Sequence, residues 1–213
     1  MINADLSKIK AVYMDIGGVL LTNGWGHESR QKAAKVFDLD YSEMDVLHDF
    51  IYNVYEIGSI TLDDYLETVI FHKKRSFTKE NFKDFMFGES IELPKLLKWC
   101  KEWKKQTDMP VFALSNEGRE INEYRIKKFK LQEVFDGFFS SCYVGYRKPD
   151  PHIFKKALEI VQVKPEESLY FDDRLMLANA AAKLGINSVH HEKFEETKNI
   201  LKNFTRKIMY DNE

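Results

Sequence analysis

Short apolar runs that each stop at a chemically useful polar residue constrain this chain more than any other feature. Residues 11–14, Ala-Val-Tyr-Met, end at Asp15 and pass into Ile16-Gly17-Gly18. Residues 111–114 end at Ser115-Asn116, and residues 168–171 end at Asp172-Asp173. Runs this short, apolar throughout and followed by turn residues, read as strands buried on both faces. In a parallel sheet all their carboxyl ends lie on one edge, where open α/β sheets bind ligands. The glycines after Asp15 let backbone amides approach an anion closely.

From residue 93 onward helix alternates with strand. Helices are expected over 94–105, 119–130, 151–161 and from 175 to a stop at Gly185, and strands over 111–114, 137–141, 168–171 and 186–189. Asp150-Pro151 supplies an N-cap and a first-turn proline for the third helix. Residues 23–88 read as helices alone, over 28–37, 42–57, 61–73 and 78–87. Val46, Phe50 and Val54, then Leu62, Tyr65, Leu66 and Val69, recur at helical spacing. Thr61 and Thr78 precede acidic first turns, as N-caps do. The expected fold is therefore α/β, a doubly wound parallel sheet with a small helical cap inserted after the first strand. The core spans 1–22 and 89–213, and the cap 23–88.

Composition excludes several classes. With 32 Lys and Arg against 34 Asp and Glu, the net charge of −2 provides no basic field for nucleic acid. No apolar stretch reaches membrane-spanning length, and the first residues do not form a signal peptide. The two cysteines, Cys100 and Cys142, have neither zinc nor redox-motif spacing. Cys100 shares an apolar helix side with Leu96 and Trp103 and is expected in the core, while His190-His191 are expected to face solvent. These signs lead us to expect a cytoplasmic protein, a monomer or weak homodimer, with no nucleic-acid or membrane partner.

The strand ends gather Asp15, Ser115, Asp172 and Asp173 around one crevice, with Lys148 just ahead of a helix start. An acid, a hydroxyl, a cation and an acidic pair suit phosphoryl transfer through a covalent aspartyl phosphate with a divalent metal. Acids alone would equally suit a plain metal site, and Lys148 with Ser115 favours an anionic substrate.

Four segments taken in order, Met14-Asp15-Ile16-Gly17-Gly18-Val19-Leu20, Leu114-Ser115-Asn116, Arg147-Lys148-Pro149-Asp150-Pro151 and Tyr170-Phe171-Asp172-Asp173, resemble the motifs of the haloacid dehalogenase-like hydrolases. The likeness spans essentially the whole chain and points to members with a small helical cap, among them sugar-phosphate phosphatases with an Asp-x-Gly first motif. It implies Asp15 as nucleophile and Lys148 as its catalytic partner and phosphate ligand. It further implies Ser115, Asn116 and Gly18 at the substrate, and Mg²⁺ held by Asp15, the Gly17 carbonyl and the Asp172-Asp173 pair, Asp173 more directly. The implied activity is Mg²⁺-dependent hydrolysis of a small phosphorylated metabolite.

Two positions depart from the pattern. Gly17 stands where the family commonly has an acid that protonates the leaving group, and Met176-Leu177 where many relatives carry a polar residue. A chain without that acid is expected to prefer phosphates whose leaving group departs readily, such as anomeric sugar 1-phosphates or acyl phosphates. Alternatively His27 or Glu28 supplies the proton. Asn23, Trp25 and His27 are candidates for the cap side of the pocket, and Asn116, Glu117 and Arg119 for further substrate contacts. Two other readings fit the same residues: a metal-independent dehalogenase in which Asp15 attacks carbon, and a non-catalytic binding relative.

Overall fold

The computed structural model describes residues 5–205. Strands β1 (Ala11–Met14), β2 (Val111–Ser115), β3 (Gly137–Ser140), β4 (Ser168–Asp172) and β5 (Asn187–His190) form one parallel sheet in the order β3-β2-β1-β4-β5. In chain order the helices are α1 (His27–Val36), α2 (Tyr41–Glu56), α3 (Leu62–Val69), α4 (Lys79–Gly88), α5 (Pro94–Lys104) and α6 (Arg119–Lys128). They continue with α7 (Ser141–Val144), α8 (Pro151–Val161), α9 (Leu175–Ala182) and α10 (Phe194–Leu201). The expected α/β architecture is present.

The period-two pattern of the strands builds two cores. Val12, Met14, Val111, Ala113, Leu169 and Phe171 face α5, whose Leu97, Cys100 and Trp103 cover them. Ala11, Tyr13, Leu114 and Tyr170 face the other way, under Phe154 and Ala157 of α8 and Ala181 of α9. Each central strand is thus covered on both faces, as its uninterrupted apolar sequence requires. β1 lies at the centre with β2 and β4 as neighbours, Met14 pairing with both Ala113 and Phe171. The chain first builds outward from β1 to β3 and then crosses back to β4. That reversal opens the crevice between the carboxyl ends of β1 and β4, and Asp15, Asp172 and Asp173 stand there.

Between β1 and α5 the helices α1 to α4 enclose a third apolar cluster, including Trp25, Tyr55, Tyr65, Leu66 and Phe82, to which α6 adds Ile121. The chain leaves and returns side by side: Thr22 N–H donates to the Ile91 carbonyl at 2.8 Å and Leu93 N–H to the Leu20 carbonyl at 2.8 Å. Thr61 and Thr78 cap α3 and α4 with reciprocal capping boxes, and Asp150 caps α8 ahead of Pro151.

One of the apolar stripes read from the sequence faces outward. Val46, Phe50 and Val54 of α2 are 71%, 80% and 37% exposed, while Met44, His48 and Tyr55 are buried. The segment carries apolar residues on two sides, and helical period alone does not say which meets the neighbours. The interior took the side bearing His48 because that side lines the site described below. α3 also stops at Val69 rather than running to residue 73, and the short α7 has no counterpart in the sequence reading.

Gly118, at the start of α6, lies under the Tyr55 ring: a Cβ there would sit 2.1 Å from Tyr55 Cε1. Its backbone is ordinary, φ −69°, so Gly118→Ala isolates the steric effect. Overpacking of this kind costs about 1–3 kcal/mol. A lowered urea midpoint is expected, and Tyr55→Leu in the same chain should restore part of the loss.

Candidate active site

Each strand end delivers its residue by backbone pairing. Asp15 donates its N–H to the Phe171 carbonyl of β4 at 2.9 Å, and its Oδ1 accepts from Ile16 N–H at 2.8 Å. This fixes the carboxylate facing Lys148, which is 1% exposed and reaches the same edge from the loop before α8. Lys148 Nζ lies 3.0 Å from Asp15 Oδ2 and 2.8 Å from both Asp172 Oδ2 and the Tyr170 hydroxyl. An ammonium has three protons, and all three find acceptors. Burial alone would lower its pKa, but the carboxylates of Asp15 and Asp172 outweigh burial and keep it charged, above its ordinary value.

Asp172 is completely buried, and both its oxygens have protein donors: Lys148 and Tyr170 on Oδ2, and the Arg174 N–H on Oδ1 at 2.8 Å. Asp173 differs. Its Oδ1 is buried without a hydrogen-bond partner, and burial, then the charges of Asp15 and Asp172, raise its pKa. Ligand atoms of Asp15, Asp172 and Asp173 all lie within 4.8 Å of one another. Three converging carboxylates, one with an unpartnered buried oxygen, fit a hard divalent cation with oxygen ligands. His190 Nε2 donates to the Asp173 carbonyl at 2.9 Å, and His191 Nδ1 meets Thr197 Oγ1 at 2.7 Å. Both histidines are therefore half-buried and bonded, contrary to the expectation of a solvent-facing pair.

Ser115 ends β2, 1% exposed. The Asn116 side chain clasps the Lys148 main chain at both ends, its Nδ2 donating to the Lys148 carbonyl at 2.9 Å and its Oδ1 accepting the Lys148 N–H at 2.7 Å. The side chain expected at the substrate thus also holds the lysine, and it lines the cavity described below. Gly18 has no N–H to offer a ligand, since it donates to the Leu21 carbonyl at 2.7 Å. Its role is steric: with φ +69°, a Cβ there would lie 2.0 Å from Asp173 Oδ2. At Gly17 a Cβ would meet Asn23 Oδ1 at 2.9 Å, so an amide occupies the place of the missing acid.

A cavity of about 280 Å³ opens from Asp15, Ser115 and Lys148 toward the helical block. Asn23, Trp25 and His27 line it as expected, whereas Arg119 binds the Cys142 carbonyl and stacks on Tyr143. Leu177 lines it too, and Met176 points out to solvent. Both ring nitrogens of His27 are engaged: Nδ1 pairs with the Tyr41 hydroxyl at 2.8 Å and Nε2 with the Gln31 amide at 3.0 Å. Glu28 lines only an outer groove.

The sequence reading missed the polar wall contributed by His48, Glu56, Arg125 and Arg147. Arg147 Nε donates to Glu56 Oε2 at 2.6 Å. Arg125 Nη1 meets Glu117 Oε1 at 2.5 Å, Nε the Ser90 hydroxyl at 3.0 Å and Nη2 the Thr22 carbonyl at 3.2 Å. One guanidinium thus binds the outgoing linker, the returning linker and the core. The available signal was phase: His48 and Arg125 fall where Met44 and Ile121, four residues earlier, are apolar and buried.

Residues 9–185 match the haloacid dehalogenase-like hydrolase family. The chain belongs to that family and is a hydrolase. It is 27% identical over 190 residues to a phosphorylated carbohydrates phosphatase of Thermotoga maritima, covering 85% of this chain and 84% of that one. It is 28% identical over 200 residues to drimenol cyclase of Aspergillus calidoustus, covering 92% of this chain but 36% of that protein. A glyceraldehyde 3-phosphate phosphatase of Pyrococcus furiosus shares 35% over 85 residues, 39% of this chain and 35% of its own length. The chain thus spans about a third of two of these relatives. A haloacid dehalogenase-like enzyme of Bacteroides thetaiotaomicron, solved with magnesium and inorganic phosphate, superposes with TM-score 0.73 at 20% identity, over 89% of this chain and 98% of that one. Among the described residues no helix is long and apolar enough to cross a membrane.

The Glu117–Arg125 pair, 4% and 2% exposed, gives a direct test of what holds the linkers. Glu117→Leu leaves a buried guanidinium without its counter-charge and should destabilise by about 3–5 kcal/mol. The double variant Glu117→Leu/Arg125→Met should recover most of that loss in urea titrations. Equal losses in the single and double variants would show that packing, not charge, sets the cost.

Proposed function

We propose that this hydrolase is a Mg²⁺-dependent phosphatase acting on a small phosphorylated metabolite, with Asp15 as the nucleophile. The observation that carries the reading is the buried Lys148 ammonium, set between Asp15 and Asp172 beside the unpartnered Asp173 oxygen. A buried cation next to a nucleophilic carboxylate suits a substrate that brings its own negative charge. The phosphatase from Thermotoga maritima and the magnesium–phosphate complex of the Bacteroides enzyme support the same reading.

In this mechanism an Asp15 carboxylate oxygen bonds to phosphorus as the bond to the leaving oxygen breaks, giving an aspartyl phosphate that water then hydrolyses. Lys148 neutralises phosphoryl oxygens, and its donors turn toward them from their present acceptors. Ser115 offers a hydroxyl on the same edge. Asn116 holds the Lys148 main chain, and Asp172 orients its ammonium. Mg²⁺, held by Asp15, Asp173 and the Gly17 carbonyl with Asp172 in support, would polarise the phosphoryl group and screen the converging acids. Residues 23–88 act as the cap over the leaving group.

The leaving group meets no acid at position 17. Asn23 occupies that place, and an amide orients an oxygen without protonating it. Phosphates with good leaving groups, anomeric sugar phosphates or acyl phosphates, are the substrates this arrangement suits. In metal-independent attack of Asp15 on a carbon–halogen bond, the unpartnered Asp173 oxygen beside Asp172 would have no cation to hold, which ranks dehalogenation lower.

A panel of sugar 1-phosphates, sugar 6-phosphates, nucleotides and acyl phosphates tests the reading. Turnover should require Mg²⁺, cease in EDTA and be absent from Asp15→Asn. Haloacid turnover persisting in EDTA would overturn it. The double variant Gly17→Asp/Asn23→Gly restores an acid and clears its space, and should raise turnover of a poor-leaving-group alkyl phosphate by about 10²-fold or more, the range of general acid catalysis. An unchanged rate would show that the leaving group is protonated from elsewhere.

A further inference from the structure

His48 is an unusual residue to bury on the inner face of α2. It is 6% exposed, and its ring is fixed from three sides. Tyr52 stacks on it with centroids 4.3 Å apart, Tyr65 meets it edge-on, and the Tyr65 hydroxyl lies 2.8 Å from Nδ1. Trp25 Nε1 lies 2.8 Å from that same hydroxyl.

The donor inventory fixes the protons along this chain. Indole N–H only donates, so Tyr65 oxygen accepts from Trp25. Among the described residues His48 Nδ1 is the other partner of the Tyr65 hydroxyl, so the hydroxyl proton has one destination. Nδ1 accepts it, and the neutral ring carries its own proton on Nε2. Burial first, and then the positive charge of Arg30, hold the His48 pKa down at about 3, with Asp45 pulling weakly the other way and Arg147 adding to the depression. No protein group bonds to Nε2 among the described residues, and the ring lines the cavity that Asp15 and Lys148 share.

That cavity, about 280 Å³, holds roughly nine water volumes. A molecule with its phosphate at Lys148 and its remainder filling this space reaches the helical wall. There an apolar aromatic would fill the position of His48 without needing Trp25 and Tyr65 to set a tautomer. The arrangement makes sense if the N–H has a ligand oxygen to meet. We propose that His48 is a specificity-determining residue, an Nε2–H donor presented by the Trp25–Tyr65–His48 chain to a hydroxyl oxygen on the leaving group of a phosphorylated sugar or polyol. This rests on the phosphatase reading for the placement of the phosphate. It assigns the leaving-group end to hydroxyl-bearing substrates and against long hydrocarbon phosphates, which have no oxygen to offer there.

The test compares two phosphates of similar size, a hexose 1-phosphate and phenyl phosphate, in wild type, His48→Phe, His48→Gln and Tyr65→Phe. His48→Phe should lower kcat/KM for the sugar phosphate by about 10-fold or more, the effect of one lost buried hydrogen bond. Phenyl phosphate should change less than about twofold by the same reasoning, since it offers no hydroxyl to the lost donor. His48→Gln, whose amide offers an N–H near the place of Nε2, should recover most of the loss. Tyr65→Phe, which keeps the ring but frees its tautomer, should fall between. Equal losses on both substrates, or no loss on either, overturn the proposal.

Binding of the same two phosphates to Asp15→Asn in the presence of Mg²⁺, followed by calorimetry, repeats the comparison without turnover. Absence of wild-type turnover with the binding discrimination intact would sink the phosphatase reading and leave the His48 assignment standing. Absence of any binding would sink both. Nitrogen NMR of the imidazole gives a readout that packing alone does not move: Nε2 protonated and Nδ1 bare from pH 5 to pH 8, and the Nε2 proton shifting on addition of the sugar phosphate but not of phenyl phosphate. A protonated Nδ1, or the same shift with both ligands, overturns the assignment.

Discussion

A lysine ammonium with no access to water dictates the geometry at the edge of this sheet. An isolated buried charge would neutralise or unfold its surroundings, and it survives only where opposite charge and hydrogen bonds replace the lost hydration. Lys148 finds these in Asp15, Asp172 and Tyr170, which come from two adjacent strands. The β1–β4 pairing is therefore a requirement of the charge as well as of the apolar strands. The Asn116 clasp and the turn at Gly18 are consequences of placing one cation and three acids within a few ångströms. The electrostatics and the chain crossing at the centre of the sheet solve the same problem.

Much of this was legible in the sequence because the signals were local. Strand ends, threonine caps, the Asp150-Pro151 start and the order of the acidic stations depend on neighbours within a few residues. The face of α2 did not, since Met44 and Val46 head competing apolar stripes and only tertiary contact chooses between them. The Glu117–Arg125 and Glu56–Arg147 pairs were illegible for a related reason. Charged residues in amphipathic helices ordinarily mark the solvated side, and here the wall of a cavity turned them inward. Asn116 and Gly18 lay at the right place, and both serve the architecture of the site.

The family supplies the fold, while the helical block supplies one wall of the cavity beside Asp15. Its relatives include a phosphorylated carbohydrates phosphatase and a drimenol cyclase, so likeness of sequence does not fix the organic part of the substrate. In this chain that part faces histidine, tyrosine and paired charges, with Trp25, Ile121 and Leu177 as the apolar exceptions. Arg30, Arg125 and Arg147 each have a carboxylate partner within the protein, and Arg174 adds a further positive charge to the lining.

The Arg125 knot has a mechanical meaning beyond holding two linkers together. Glu117 and Arg125 both lie on the sheet side, between the end of β2 and α6, so the ion pair stays whole whatever the helices do, and only the hydrogen bonds from Arg125 to Ser90 and to the Thr22 carbonyl join it to the linkers. Arg125 is therefore a fixed post for both linkers, with Gly24 giving room for the guanidinium against the chain. The Glu56–Arg147 contact, whose arginine is one-third exposed and whose glutamate is buried, runs from α2 to the loop before α8. Of the two ion pairs, that one ties the helices themselves to the sheet side, while the Arg125 knot ties only the strands of chain that lead out to them and back.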